Sequence, residues 1–201
     1  MRYILSIYKI CVLFCITLVC VCCDSTKSAP SIMGVKVAGY GWIFKQTFSN
    51  RGFSVIREEK NAFVMEGKYN DNICYLFVMT GKWDKVLVAN IKIMGWSLDK
   101  EYEALEKEYN EMYTASQDDD TEELKTRQWL KYYNNELVGK VILEGKISAF
   151  DTGQKTPEFE VENPFGGNPF KVGGASITMK NISEIDLTVF NALNIEKYKT
   201  E

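Results

Sequence analysis

From residue 41 onward, apolar positions follow first a helical and then an alternating rhythm. Phe44 and Phe48 lie four apart in 41–52, and Gly52 is placed to end a short helix. The segments 53–56, 62–68, 73–80 and 86–94 are rich in aromatic and β-branched residues and are separated by polar turns, which predicts an antiparallel meander. In 86–94, Leu87, Ala89, Ile91 and Ile93 alternate with Val88, Asn90 and Lys92, so one face is expected to be buried and the other at least partly wet. A longer helix is expected next, with Ser97 as N-cap and Asp99 and Glu101 in its first turn. Its apolar stripe would be Leu98, Tyr102, Leu105, Tyr109 and Met112. The acidic run 118–123 reads as a connection into a second helical stretch ending near Tyr133, with Thr121 as its cap, before strand character returns at 137–150 and 175–190. Between them, 156–174 carries Pro157, Pro164, Pro169 and several glycines and reads as a surface loop or β-ribbon excursion. The expected class is α+β, an antiparallel sheet with helices packed on one face, in a single domain over 32–201.

The N-terminal pattern differs. Arg2 and Lys9 precede the apolar run 10–22, which is shorter than the roughly twenty residues a membrane span needs. Residues 1–22 therefore read as a signal peptide, and the protein as exported. Across the whole chain, 24 Lys and Arg face 27 Asp and Glu. Losing Arg2 and Lys9 with the leader leaves 22 bases against 27 acids, a net charge near −5 that does not suit a nucleic-acid partner. Of the 6 cysteines only Cys74 lies outside the leader region, so no disulfide framework is expected. Cys74 sits among Ile73, Tyr75, Leu76 and Phe77 and reads as a buried thiol. The run Leu18-Val19-Cys20-Val21-Cys22-Cys23-Asp24 resembles the lipobox of bacterial lipoproteins, in which a small residue precedes a cysteine that is diacylated and becomes the new N-terminus. Cys23, preceded by small Cys22, is the expected acylation site. Cys22 is the alternative, with bulky Val21 before it. Residues 23–31 would then tether the domain to the membrane, whereas an ordinary secretory leader would be cleaved near Ser28 and Ala29.

Composition restricts the chemistry further. The chain has 0 His, which excludes Ser-His-Asp and Cys-His nucleophilic sites, His-bound zinc and imidazole relays within it. Gly39-Tyr40-Gly41 after an apolar segment has the outline of a dinucleotide turn, with Glu58 or Glu59 as the ribose ligand, but Phe44 replaces the third glycine and a turn with a helix start is the better reading. Ser97-Leu98-Asp99-Lys100 is formally the S-x-x-K of penicillin-recognising enzymes, yet the accompanying motifs are missing and capping explains Ser97. Asp118, Asp120 and Glu122 offer calcium ligands, but Glu123 stands where an EF-hand loop needs glycine. No catalytic, cofactor-binding or metal site is expected.

The aromatics Tyr40, Trp42, Trp83, Trp96, Trp129, Tyr132 and Tyr133 should mostly enter the core. Trp83 is the expected exception, because Gly81-Lys82-Trp83-Asp84-Lys85 reads as a hairpin tip. Phe165 and Phe170, each in an Asn-Pro-Phe tripeptide, are candidate partner-binding rings on the long loop.

The leader, the opening Gly34-Val35-Lys36-Val37-Ala38-Gly39, the helix ending at Arg51-Gly52-Phe53, and Trp96-Ser97-Leu98 before a Glu/Lys/Tyr-rich helix together carry a resemblance. Taken with the closing strands, the chain resembles uncharacterised lipoproteins of Bacteroidetes-type bacteria. That resemblance implies an exported, membrane-anchored α+β domain on the periplasmic or cell-surface side, with helices on a concave antiparallel sheet as in β-lactamase-inhibitor-protein-like folds. It brings no functional residues. The expected function is noncatalytic binding of another protein or envelope component, in the manner of an inhibitor or assembly factor, with the membrane contacted through the N-terminal lipid. Glycan binding through exposed aromatics is the alternative, and a carboxylate-only glycan hydrolase the third.

Overall fold

A computed structural model describes residues 28–155, 159–161, 170–172 and 176–198. The architecture is α+β and dominated by one antiparallel sheet. A short hairpin of β1 (Ser31–Ile32) and β2 (Val35–Lys36) leads into helix α1 (Gly41–Ser49). The meander follows as β3 (Ser54–Glu59), β4 (Ala62–Tyr69), β5 (Asn72–Thr80) and β6 (Val86–Met94), then helix α2 (Asp99–Met112). β7 (Thr114–Asp120), β8 (Leu124–Tyr133), β9 (Glu136–Lys155) and β12 (Ser176–Asn191) complete the sheet, and α3 (Ala192–Tyr198) closes the described chain. The strand order is β3-β4-β5-β6-β12-β9-β8-β7, so β12 returns to pair with β6 and joins the two halves. Within the predicted loop, β10 (Phe159–Val161) pairs with β11 (Phe170–Val172) as a two-stranded ribbon.

The register places one inward residue from each of the five central strands in a row. Met65, Leu76, Ile91, Leu187 and Leu143 are cross-strand neighbours in turn, and all are buried. Phe44 and Phe48 of α1, and Tyr102, Leu105 and Tyr109 of α2, are buried in the same core. Burying each such side chain contributes about 1.5–3 kcal/mol, against roughly 0.2–1 for an exposed ion pair such as Lys45–Glu58. The apolar rows therefore hold the fold. α1 ends as expected: Gly52 at φ +88 bonds back to Ser49, Phe53 bonds back to Phe48, and the Phe48 and Phe53 rings meet edge-on at 5.2 Å.

Several expectations are corrected. The stretch through Thr121 to Tyr133 is a hairpin, not a helix. Its inward positions are Lys125, Arg127, Trp129 and Lys131, opposite Gly145, Leu143, Val141 and Gly139, so cations hide the strand alternation. Their stems pack while their charged heads find partners: Arg127 bonds Glu106 of α2 at 2.6 Å and also the Asp120 carboxylate. Asp118, Asp119 and Asp120 lie on edge strand β7, where exposed charges discourage pairing with another chain, while Glu122 and Glu123 lie in the β7–β8 turn, which Thr121 closes by accepting from Leu124 N–H at 3.0 Å. Ser97 does not cap α2. Leu98 precedes the helix, and the Ser97 hydroxyl donates to the Asp99 carboxylate. In β6 a register shift opposite Met79 and Thr80 puts Val86 rather than Leu87 in the main core.

Packing also reaches residues ahead of 32. Ser28, Ala29 and Ser31 are buried, Val37 N–H donates to the Pro30 carbonyl, and Tyr109 Oη donates to the Ser31 carbonyl at 2.9 Å. Ordered packing thus extends into the expected tether.

Candidate functional site

Two surfaces stand out, and both follow from the register. The first is the sheet face opposite the core. Strand β5 is apolar on both sides: Cys74, Leu76 and Val78 point inward and are buried, while Ile73, Phe77 and Met79 are exposed, Met79 by 57%. Their neighbours on β6 are Met94, also exposed, and the half-buried Asn90 and Val88. Beside this apolar patch runs a polar ladder. Asn90 Nδ2 donates to Thr188 Oγ1 at 2.8 Å and to the Asp186 carboxylate, and Lys92 Nζ donates to Glu184 Oε1 at 2.9 Å with Asp186 at 3.8 Å. The hydrogen bond that Lys92 donates to Glu184, followed by the charges of both carboxylates, raises the Lys92 pKa despite some desolvation.

The second surface is one end of the sheet, where the β5–β6 and β8–β9 turns and the start of α1 converge. Trp83 is at the hairpin tip as expected and is 75% exposed, its ring edge-on to Tyr198 at 5.9 Å. Trp83 and Asp84 both have φ +57, the left-handed region that type I′ hairpin turns require. Two other hairpins of the sheet meet this requirement with Asn70-Asp71 and Asn134-Asn135, residues that tolerate it. A tryptophan there is strained by about 1–2 kcal/mol. Next to it Trp42 is 61% exposed, and Lys85 Nζ lies 3.5 Å from the Tyr40 ring centre. The aromatic expectation is largely reversed: Tyr40, Trp42, Trp96, Tyr132 and Tyr133 are exposed, and Trp129 alone of the seven is buried, with Nε1 bonded to Asn110.

The glycine turn receives its explanation here. Gly39 has φ +78, and a Cβ on Gly41 would stand 2.5 Å from the Asp84 carboxylate, which instead accepts the Trp42 N–H at 3.0 Å. The helix start thus holds an internal carboxylate at the place where a dinucleotide turn would hold phosphate. A cavity of about 230 Å³ lies beside it, lined by Trp42, Lys45, Glu58, Thr80 and Asp84 among others.

Of the remaining candidates, Cys22, Cys23 and Phe165 lie outside the described residues, and Phe170 opens β11 opposite Val161. Cys74 is fully buried, and desolvation pushes its thiol up to about 12. Among the described residues no group of three His, Cys, Asp or Glu is placed to hold a metal ion, and no helix is long and apolar enough to cross a membrane. Sequence reasoning missed the Phe77–Met79 surface. Its signal was the two-sided apolarity of 73–80, which resembles a strand buried on both faces. Compared with known protein families, curated proteins and solved structures, the chain matches none.

Proposed function

We propose that this is a noncatalytic, lipid-anchored cell-envelope protein of the exported lipoprotein type that its sequence resembles, and that it binds another envelope protein through the open face of its sheet. In this reading α1 and α2 form a layer on one side and leave the other side for a partner. Their apolar side chains share the core with the inward-facing strand residues, which supports that layering. The observation that carries the proposal is the exposure of Ile73, Phe77 and Met79 together on one strand, beside a polar ladder able to fix orientation. Glu184 and Asp186 share one ammonium group on that open face, an arrangement suited to a fixed ion cluster rather than to an acid and a base across a cleft. Glycan capture has less behind it. The Tyr40 ring is covered by Lys85 and Trp83 meets Tyr198 edge-on, so these rings do not make one flat stacking platform.

The test is site-specific photocrosslinking in intact cells, with the probe at Met79 and, as control, at Asp119 on edge strand β7. A discrete protein adduct from position 79 alone supports the proposal. Equal labelling from both positions, or none from either, defeats it.

A further inference from the structure

The end of the sheet that receives the N-terminal segment carries a collar of exposed rings. Lys131 Nζ and Lys36 Nζ both donate to the Ala29 carbonyl, at 3.1 and 3.3 Å, and Pro30 covers Gly139 so closely that a Cβ there would stand 2.7 Å from the proline ring. Ser28 is therefore fixed beside the β8–β9 hairpin. Cys23 is five residues upstream, and five extended residues span at most about 17 Å. An acyl chain on Cys23 would hold this end, and no other, against the bilayer surface.

The register shows what that end carries. Met79, Val88, Phe190, Lys140 and Leu130 lie in one cross-strand row, and the turns beyond them all project toward the anchored side. On or beside these turns, Tyr40, Trp42, Trp83, Tyr132, Tyr133 and Leu137 are exposed. They accompany Lys36, Lys60, Lys82, Lys85, Lys131 and Lys197, with Glu58, Glu59, Asp84, Glu111, Glu136 and Glu196 among the local acids. Of these acids Asp84 is engaged by the start of α1 and Glu58 by Lys45. Lys36 and Lys131 are held on the Ala29 carbonyl and Lys85 lies over the Tyr40 ring, and among the described residues Lys60, Lys82 and Lys197 are in no ion pair. The opposite end has a different composition. Its turns hold Asp71, Glu122 and Glu123 and edge strand β7 ends there in Asp118-Asp119-Asp120, with Lys68, Lys125, Lys146 and Lys180 beside them and Trp96 as an exposed ring.

We infer that the anchored end of the sheet lies on an anionic phospholipid surface, with the exposed tyrosines and tryptophans at headgroup level and Lys60, Lys82 and Lys197 facing lipid phosphates. This rests on the lipid-anchor reading. Tyr and Trp favour that depth because each joins an apolar ring to a polar tip, and basic groups add attraction to anionic headgroups. The carboxylates of the far end are partly neutralised by Arg127 and Lys180, so it is chiefly ring placement that selects one orientation. A bilayer contact also accounts for a strained turn that holds an indole in the open, since the ring leaves water once the domain is docked. The rings spread around the entry point of the tether, whereas a glycan site would gather them about one groove.

The mature protein extracted from membranes would be reconstituted into phosphatidylethanolamine–phosphatidylglycerol vesicles containing lipids brominated near the headgroup. With 4 tryptophans in the chain and Trp42 and Trp83 at the docked end, fluorescence should fall by roughly half. Most of that quenching should vanish in Trp42→Phe/Trp83→Phe and persist in Trp96→Phe. Acylated protein that floats with the vesicles but is not quenched, or is quenched chiefly through Trp96, overturns the docked orientation while leaving the anchor in place. A chain whose intact mass lacks the lipid and which does not float overturns both. An emission shift with envelope oligosaccharides that depends on Trp83, without bromolipid quenching, would assign the rings to a glycan and overturn the inference.

Discussion

The carboxylate of Asp84 accepts the backbone N–H of Trp42 at 3.0 Å, so a β-turn residue caps a helix 42 positions earlier in the chain. No side chain at the helix's own N-cap position, Tyr40, makes that bond. Asp84→Ala should cost about 1 kcal/mol, the usual value of a lost cap. Gly41→Ala forces a Cβ to within 2.7 Å of the Thr80 methyl as well as onto the carboxylate, and should cost about 1–3 kcal/mol. In the double variant part of the clash is gone, so the two losses should fall short of additive. Urea unfolding of the four proteins measures this directly.

Arg127 joins α2 to edge strand β7 through Glu106 and Asp120, and its side chain is only 15% exposed. Arg127→Ala should destabilise by about 2 kcal/mol, the scale of hydrogen bonds to charged groups. The hydrogen bond from Arg127 holds the Asp120 carboxyl below its ordinary value of 3.8. A depressed pKa contributes stability above the unfolded value that is lost as pH falls through the folded one. The wild type should therefore lose stability below about pH 4, and Arg127→Ala should show a shallower acid slope in thermal melts from pH 2 to 6.

With its thiol pushed up to about 12 and no exposed surface, Cys74 should resist alkylation in native protein at pH 8. Modification should appear only on unfolding, making iodoacetamide labelling followed by mass spectrometry a probe of global opening. Appreciable native labelling would show that the β5 strand opens locally.

The hydroxyl of Tyr102 is buried without a hydrogen-bond partner among the described residues, while the ring lies against Gly145. Removing the oxygen relieves a desolvated polar group, so Tyr102→Phe should stabilise the domain by about 1 kcal/mol and raise its melting temperature. Burial also drives the phenol pKa up, and no ionisation of this residue should be seen in native protein at pH 11.

Trp83→Gly removes the left-handed strain but also the edge contact to Tyr198. Strain of about 1–2 kcal/mol against a contact of about 0.5–1.5 predicts a variant no less stable than wild type. Thermal melting should return an equal or higher midpoint, as expected if the tryptophan is kept for contact with something outside the domain.

Read alone, the sequence determined α1, the meander, the closing strands that became β9 and β12, and the stripe of α2 except for Met112, which is exposed. Their information is local: Phe44 and Phe48 one turn apart, Gly52 at a closing position, and period-two alternation in 86–94 are each visible within a short window. It also determined that Trp83 stands on a turn, since the flanking strands leave it nowhere else to be. Tertiary structure decided the rest. Thr114 to Tyr133 became two strands because the inward cations Lys125, Arg127 and Lys131 satisfy themselves on Tyr102, Glu106 and Ala29, partners far away in sequence or on another element. Tertiary pairing also overrode the poor strand propensity of three successive aspartates. Two apolar faces on β5 look alike in sequence, yet Leu76 and Val78 are buried in one core with side chains of α1 and α2 while Phe77 and Met79 are exposed. Side-chain pattern specifies which residues share a face, but which face is covered depends on what the remainder of the chain brings to it.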